Sequence, residues 1–181
     1  MNEIRKTVSF DDVLLVPKYS EIISRKSIDI GSNLSEDMRF DLPIISAPMD
    51  TITGWHMASA MQDSGGLGIV HRYNSIYDQV TSTKYINSSY AAAIGVTGDY
   101  MERAKQLVET GCKILCIDVA HGHHALMRHA LKTLRSTFGT SVHLMAGNVA
   151  TLEALNDLAD WGADSVRIGI GGGSICSTRI Q

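Results

Sequence analysis

Near the end of the chain, Ser165-Val-Arg-Ile168 runs into Gly169-Ile-Gly-Gly-Gly-Ser174-Ile-Cys176-Ser-Thr-Arg179. An apolar strand thus gives way to four glycines, a serine and a cysteine. Glycines carry no Cβ, so their backbone amides can approach a ligand closely. Ser174 can donate to a phosphate oxygen, and Cys176 beside it then faces whatever that phosphate carries. An attacking thiol works as the thiolate, and the loop together with Arg179 supplies donors that lower a thiol pKa. The segment reads as a phosphate-anchored nucleophile loop. Most lone cysteines are inert core residues, and Cys112 and Cys116, on and just before an apolar strand, read that way. His121, His123 and His124 lack the spacing of a metal motif. They read instead as the lip of a ligand cleft, with His124 solvated. Gly169-x-Gly-x-x-Ser is a poor dinucleotide fingerprint, because no helix with a later acidic residue follows it.

A loop of this kind needs a rigid frame. Apolar runs of strand length occur at Pro43–Ser46, Leu67–His71, Ala91–Val96, Lys113–Asp118, Val142–Ala146 and Ser165–Ile168. Helix-length segments lie between them: Met57–Asp63, Ser75–Asn87, Asp99–Glu109, His124–Phe138 and Thr151–Trp161. Gly111 and Gly139 serve as stops and Thr151 as a cap. Leu152, Leu155, Leu158 and Ala159 share one helical face, and Met57 and Met61 share another that reads as core. The nearly unbroken apolar run Lys113–Asp118 is typical of a parallel strand buried on both sides. This alternation predicts a parallel α/β fold. Met49-Asp50, His71-Arg72, Asp118, Gly147-Asn148 and the Cys176 loop each follow a strand's C-terminal end. Sites distributed in this way belong to a (β/α)8 TIM barrel rather than a doubly wound sheet, with about six of the eight strands in this chain. Residues 1–40 read as an irregular arm whose apolar stretch Phe10–Pro17 packs over one barrel end. Residues 41–181 form the N-terminal portion of the barrel.

The 181 residues contain 44% apolar residues and carry a formal charge of -3, which gives no basis for nucleic-acid binding. No apolar run reaches membrane-spanning length, no signal-peptide pattern opens the chain, and three cysteines make no disulfide framework. The expectation is a cytoplasmic protein.

The chain resembles the IMP dehydrogenase and GMP reductase family over nearly its whole length. The resemblance rests on Ser9-Phe-Asp-Asp-Val-Leu-Leu-Val-Pro17, Ser46-Ala-Pro-Met-Asp-Thr51, Gly65-Gly-Leu-Gly-Ile-Val-His71, Asp118-Val-Ala-His-Gly122, Ala146-Gly-Asn-Val-Ala-Thr151 and Gly169–Arg179, in order and at compatible spacing. It implies a barrel enzyme, a homotetramer, that binds a purine 5′-monophosphate and a nicotinamide cofactor at the strands' C-terminal face. It makes Cys176 the catalytic nucleophile at purine C2, and Thr178 resembles the catalytic threonine that assists at the leaving group in reductases. Met49, Asn148, Arg167 and Ser174 become substrate residues. Asp118, Val119, Ala120, Gly169, Ile170 and Gly171 become cofactor residues, with Asp118 accepting from a ribose. The carbonyls of Gly171, Gly173 and Cys176 become ligands of a potassium ion.

Departures from the family pattern bear on which reaction is expected. Gly172 stands where proline is commoner, and Ser177 where threonine is. The span from His71 to Ala93 is too short for the paired regulatory CBS domain, as in reductases. Ser-Ala-Pro-Met-Asp-Thr and His121-Gly-His123 lean to the dehydrogenase with NAD; Asp118-Val-Ala leans to the reductase with NADPH. The dehydrogenase is the preferred reading and the reductase stays open. The family's later strands, flap and water-activating residues are expected beyond Gln181, so the chain as given is not expected to turn over alone. A truncated, non-catalytic nucleotide-binding protein is the reading from another class.

Overall fold

Each strand of the main sheet lies beside its neighbour in sequence, and this order decides the architecture. The computed structural model describes residue 8 and residues 12–86, 90–173 and 176–180, without the side chains of 179 and 180. Its main sheet runs β3 (Ile45–Ser46), β4 (Leu67–Val70), β5 (Tyr90–Ile94), β6 (Cys112–Asp118), β7 (His143–Val149), β8 (Ser165–Ile168), all parallel. A doubly wound sheet reverses its order at a switch point; this one never does. It is a curled half-barrel of six strands. Helices α1 (Trp55–Asp63), α2 (Ile76–Thr83), α3 (Tyr100–Glu109), α4 (Ala125–Phe138) and α5 (Leu152–Asp160) fill the crossovers.

Strand residues sort by parity. Val70, Ala92, Ile94, Leu115, Ile117, Leu144 and Ala146 face the helices and pack with Leu107, Leu131, Leu134 and Leu158. Leu67, Ile69, Ala91, Ala93, Ile114, Cys116 and Met145 face the concave interior. Burial on both sides is why these strands read as continuous apolar runs rather than alternating ones.

Several expectations are corrected. The arm is not wholly irregular: β1 (Ser32–Ser35) and β2 (Met38–Phe40) form an antiparallel hairpin. Leu34, Met38 and Phe40 of the hairpin pack on the interior cluster. Leu14 and Leu15 are 95% and 98% exposed, so the Phe10–Pro17 stretch, where described, does not cover a barrel end. Helix α2 stops at Thr83, because Lys84–Ile86 tighten into i→i−3 turns. Strand β7 runs past Ala146 to Val149, with Gly147 in the ladder and the register shifting between Gly147 and Val149. Met57 is 41% exposed, and Ala58 is the buried residue of that helix. His124 is not idle: its Nδ1 accepts from Leu126 N at 3.1 Å and caps α4. Thr151 caps α5 as read from sequence, with Oγ1 accepting from Ala154 N at 3.1 Å.

Candidate active site

Hydrogen bonding continues past the ends of the strands at the C-terminal rim. Val119 N donates to Gly147 O (3.0 Å), Asn148 N to Val119 O (2.9 Å) and Gly122 N to Asn148 O (2.7 Å). The Asn148 side chain then reaches the next strand end, with Nδ2 donating to Gly169 O at 2.8 Å. The loops after β6 and β8 are thereby tied to the end of β7 in one arrangement. Asp118, Val119, Asn148, Arg167 and Gly169 are brought together in it; Ala120 is exposed at its border.

Asp118, Gly147 and Arg167 share one register across β6, β7 and β8. The central position is glycine for a steric reason: a Cβ there would lie 2.7 Å from Arg167 Cβ. With that space open, Arg167 Nη1 spans β7 and donates to Asp118 Oδ1 at 2.5 Å. The same nitrogen lies 3.6 Å from Cys116 Sγ. Burial pushes the Cys116 thiol up to about 12, although Arg167 pulls the other way. Cys116 is therefore a neutral thiol near pH 7, and Asp118 is the charge that answers Arg167. Burial works against the Arg167 charge, and the Asp118 carboxylate works for it. Asp118 does not cap α4, since His124 does, and its Oδ2 stays available to accept from a ligand hydroxyl.

Beyond β8 the chain turns on Gly169 (φ 111°) and Gly171 (φ 64°), in the left-handed region that favours glycine. Ile170 is half-buried between them. Cys176 N donates to Gly173 O at 3.0 Å, closing a turn before the 3-10 segment Ser177–Ile180 that contains Thr178. Cys176 is half-buried. Ser174 and the Arg179 side chain lie outside the described residues. Met49 follows β3, the other edge strand, and is 51% exposed; its carbonyl accepts from Ile52 N and Thr53 N, each at 3.0 Å. Cys112 and Cys116 are core residues as read, 1% and 0% exposed. Burial also pushes the Cys112 thiol up to about 12.

Sequence reading missed several residues that hold this rim. Thr53 is fully buried; its Oγ1 donates to Ala47 O at 2.5 Å, and its carbonyl accepts from His71 N at 3.0 Å. Buried Gln79 donates to His71 O and Ala93 O, each at 3.0 Å, while accepting from Arg103 Nη1 at 2.8 Å. Arg103 also reaches Asn74 O (2.9 Å) and Asp99 (2.8 Å). The signal was a glutamine and an arginine at helix positions where the pattern calls for apolar side chains. His123 Nε2 pairs with Asp157 Oδ2 at 2.8 Å and stacks on Trp161, fixing the loop after β6 to α5; His121 is exposed. Among the described residues, no three His, Cys, Asp or Glu side chains converge as a metal site.

Residues 7–181 match the IMP dehydrogenase / GMP reductase domain. The inosine-5′-monophosphate dehydrogenase of Cryptosporidium parvum is 34% identical over 98% of this chain and 54% of its own length. That of Nitrosopumilus maritimus is 26% identical over 98% of this chain and 64% of its own. A crystal structure of inosine 5′-monophosphate dehydrogenase from Legionella pneumophila matches with a TM-score of 0.89 and 41% identity, over 97% of this chain and 54% of that one. The chain thus spans 54% to 64% of the length of these curated relatives.

Proposed function

The chain belongs to the IMP dehydrogenase / GMP reductase family, and from that premise we propose that the complete protein is an IMP dehydrogenase, converting IMP, NAD and water to XMP and NADH. The observation that carries this reading is the laced strand-end cluster Asp118–Asn148–Arg167–Gly169, which leads directly into the glycine loop before Cys176. The two curated relatives and the solved structure described above carry the dehydrogenase name, which favours oxidation over reduction.

In this reading Ser174 anchors the 5′-phosphate, Met49 lines the base pocket, and Asn148 and Arg167 support nucleotide and loop. The Cys176 thiolate adds to C2 of IMP. When bound, NAD supplies the acceptor for the hydride that leaves C2. The resulting thioimidate on Cys176 takes up water, XMP departs, and the sulfur recovers its proton; Thr178 assists beside it. The residues fit a dinucleotide: Asp118 keeps Oδ2 for a ribose hydroxyl because Arg167 engages only Oδ1. Val119, Ala120, Gly169, Ile170 and Gly171 complete that side. The carbonyls of Gly171, Gly173 and Cys176 would hold a potassium ion; Gly173 O accepts one bond from Cys176 N and retains a second lone pair. The assembly is proposed to be a cytoplasmic homotetramer. Among the described residues, no helix is long and apolar enough to cross a membrane.

Asp118-Val119-Ala120, the reductase-like stretch, favours a second reading: GMP reduction with NADPH. The complete protein, given IMP with NAD or GMP with NADPH, separates the two by the appearance or loss of reduced-cofactor absorbance. Activity only with IMP and NAD is expected. Silence in both assays overturns the enzyme reading and favours a nucleotide-binding protein. Cys176→Ala is expected to lower kcat by at least about 10³-fold while IMP still binds.

A further inference from the structure

Arg72 lies two residues after β4 and takes part in none of the ion pairs among the described residues. Its guanidinium leans over the end of β5 toward β6. Nη2 donates to the Asp118 carbonyl at 3.3 Å, and the group lies 5.3 Å from the Tyr73 ring centroid. The guanidinium packs over Gly95, where an added Cβ would sit in ordinary contact, 3.4 Å from Nη1 and 3.6 Å from Cζ. The buried Nε has no hydrogen-bond partner.

Asp118 is answered by Arg167 at 2.5 Å, whereas Arg72 is in no ion pair among the described residues. A guanidinium carries five donors in a rigid fork that matches phosphate oxygens two at a time. Here the fork makes one long bond to a carbonyl, with its central carbon over the Tyr73 ring. Asp118, one bond away, is the proposed acceptor for ribose hydroxyls of the cofactor. In a dinucleotide, the anion nearest a ribose diol is the phosphate ester on the same sugar.

We propose that Arg72 binds the diphosphate bridge of the dinucleotide cofactor while Asp118 holds the adjoining ribose. This rests on the assignment of Asp118 made under Proposed function. It extends the cofactor site from β6 and β8 back to β4, and makes Arg72 a binding residue rather than a strut between strand ends.

The test uses Arg72→Gln and Arg72→Lys in the complete protein. The KM for NAD is expected to rise about tenfold in Arg72→Gln and less in Arg72→Lys, with the KM for IMP changing by less than about twofold. An unchanged KM for NAD, or KM values for NAD and IMP that rise together, would make Arg72 structural and overturn the proposal. A second measurement needs no turnover. Inorganic pyrophosphate, titrated calorimetrically, is expected to bind the unmodified protein about tenfold more tightly than Arg72→Gln. Equal affinities, or no binding to the unmodified protein, overturn the inference. Tighter binding by the unmodified protein in a protein silent with both substrate pairs would sink the enzyme reading and leave this site standing.

Discussion

Under the β1–β2 hairpin, at the N-terminal ends of the strands, lies a cavity of about 700 Å³ lined by Met38, Phe40, Leu67, Lys113, Ile114 and His143 among others. At the opposite rim the chain offers laced loop backbone, the Asp118–Arg167 pair and the glycine turn before Cys176. That hollow lies at the end away from the proposed site. Strands arrive at the N-terminal end through helix stops and tight turns, and its lining joins core side chains and the hairpin to charged groups, Asp37, Arg39, Asp41, Lys113 and Asp164. They leave the C-terminal end into loops that present amides, carbonyls and charged groups together. In a parallel half-barrel, strand direction is therefore the better guide to the site than concavity.

The contrast predicts a large split among the cysteines. Cys112 and Cys116 lie in β6 with thiols pushed up to about 12, whereas Cys176 lies on the rim loop. Iodoacetamide near pH 8 should label Cys176 at least about 100-fold faster than either strand cysteine. Peptide mapping over time reads the ratio, and early labelling of Cys112 or Cys116 would break the contrast.

A smaller effect concerns what stiffens the rim. Gln79→Ala leaves two buried carbonyls and Arg103 without their partner. It should cost about 2–4 kcal/mol in urea unfolding of the complete protein. Gln106→Ala, which removes one exposed bond to Glu102 within α3, should cost less than about 0.5 kcal/mol. Equal costs would mean that the buried network holds nothing.

The smallest effect belongs to the other end. Burial lowers the His143 pKa, against the pull of Asp164, and its Nε2 meets Ser165 Oγ at 2.8 Å. The folded protein therefore binds a proton less readily than the unfolded chain. Stability should fall as pH drops below the ordinary imidazole value of 6.5 and on through the lower folded value. His143→Gln should flatten that slope without changing rim binding. A steeper slope in the variant would contradict the burial assigned to this histidine.

Much of this architecture can be read from residue type alone. The run Ile114–Ile117 has one meaning in an alternating α/β chain, and β6 forms there. Asp118 and Cys176 are conspicuous because a carboxylate and a thiol directly follow apolar strand and glycine. The hairpin is harder to see: Leu34, Met38 and Phe40 are only three apolar side chains divided by a Glu36-Asp37 turn. The end of β7 is disguised because Gly147-Asn148 has the composition of a turn, while its ladder partners Asp118 and Arg167 are distant in sequence. Thr53 and Arg72 act through carbonyls at or just beyond strand ends, contacts that leave no local pattern, whereas Gln79 and Arg103 show only as polar residues at helix positions suited to apolar ones.

The central claim is that the Cys176 sulfur forms a bond to the purine ring. Acid-quenching the complete protein during turnover with IMP and NAD, then mapping peptides by mass spectrometry, tests this directly. The account predicts a purine-nucleotide adduct on the peptide containing Cys176, absent when NAD is withheld. An adduct on Cys112 or Cys116, or full turnover by Cys176→Ala with no adduct anywhere, would contradict it.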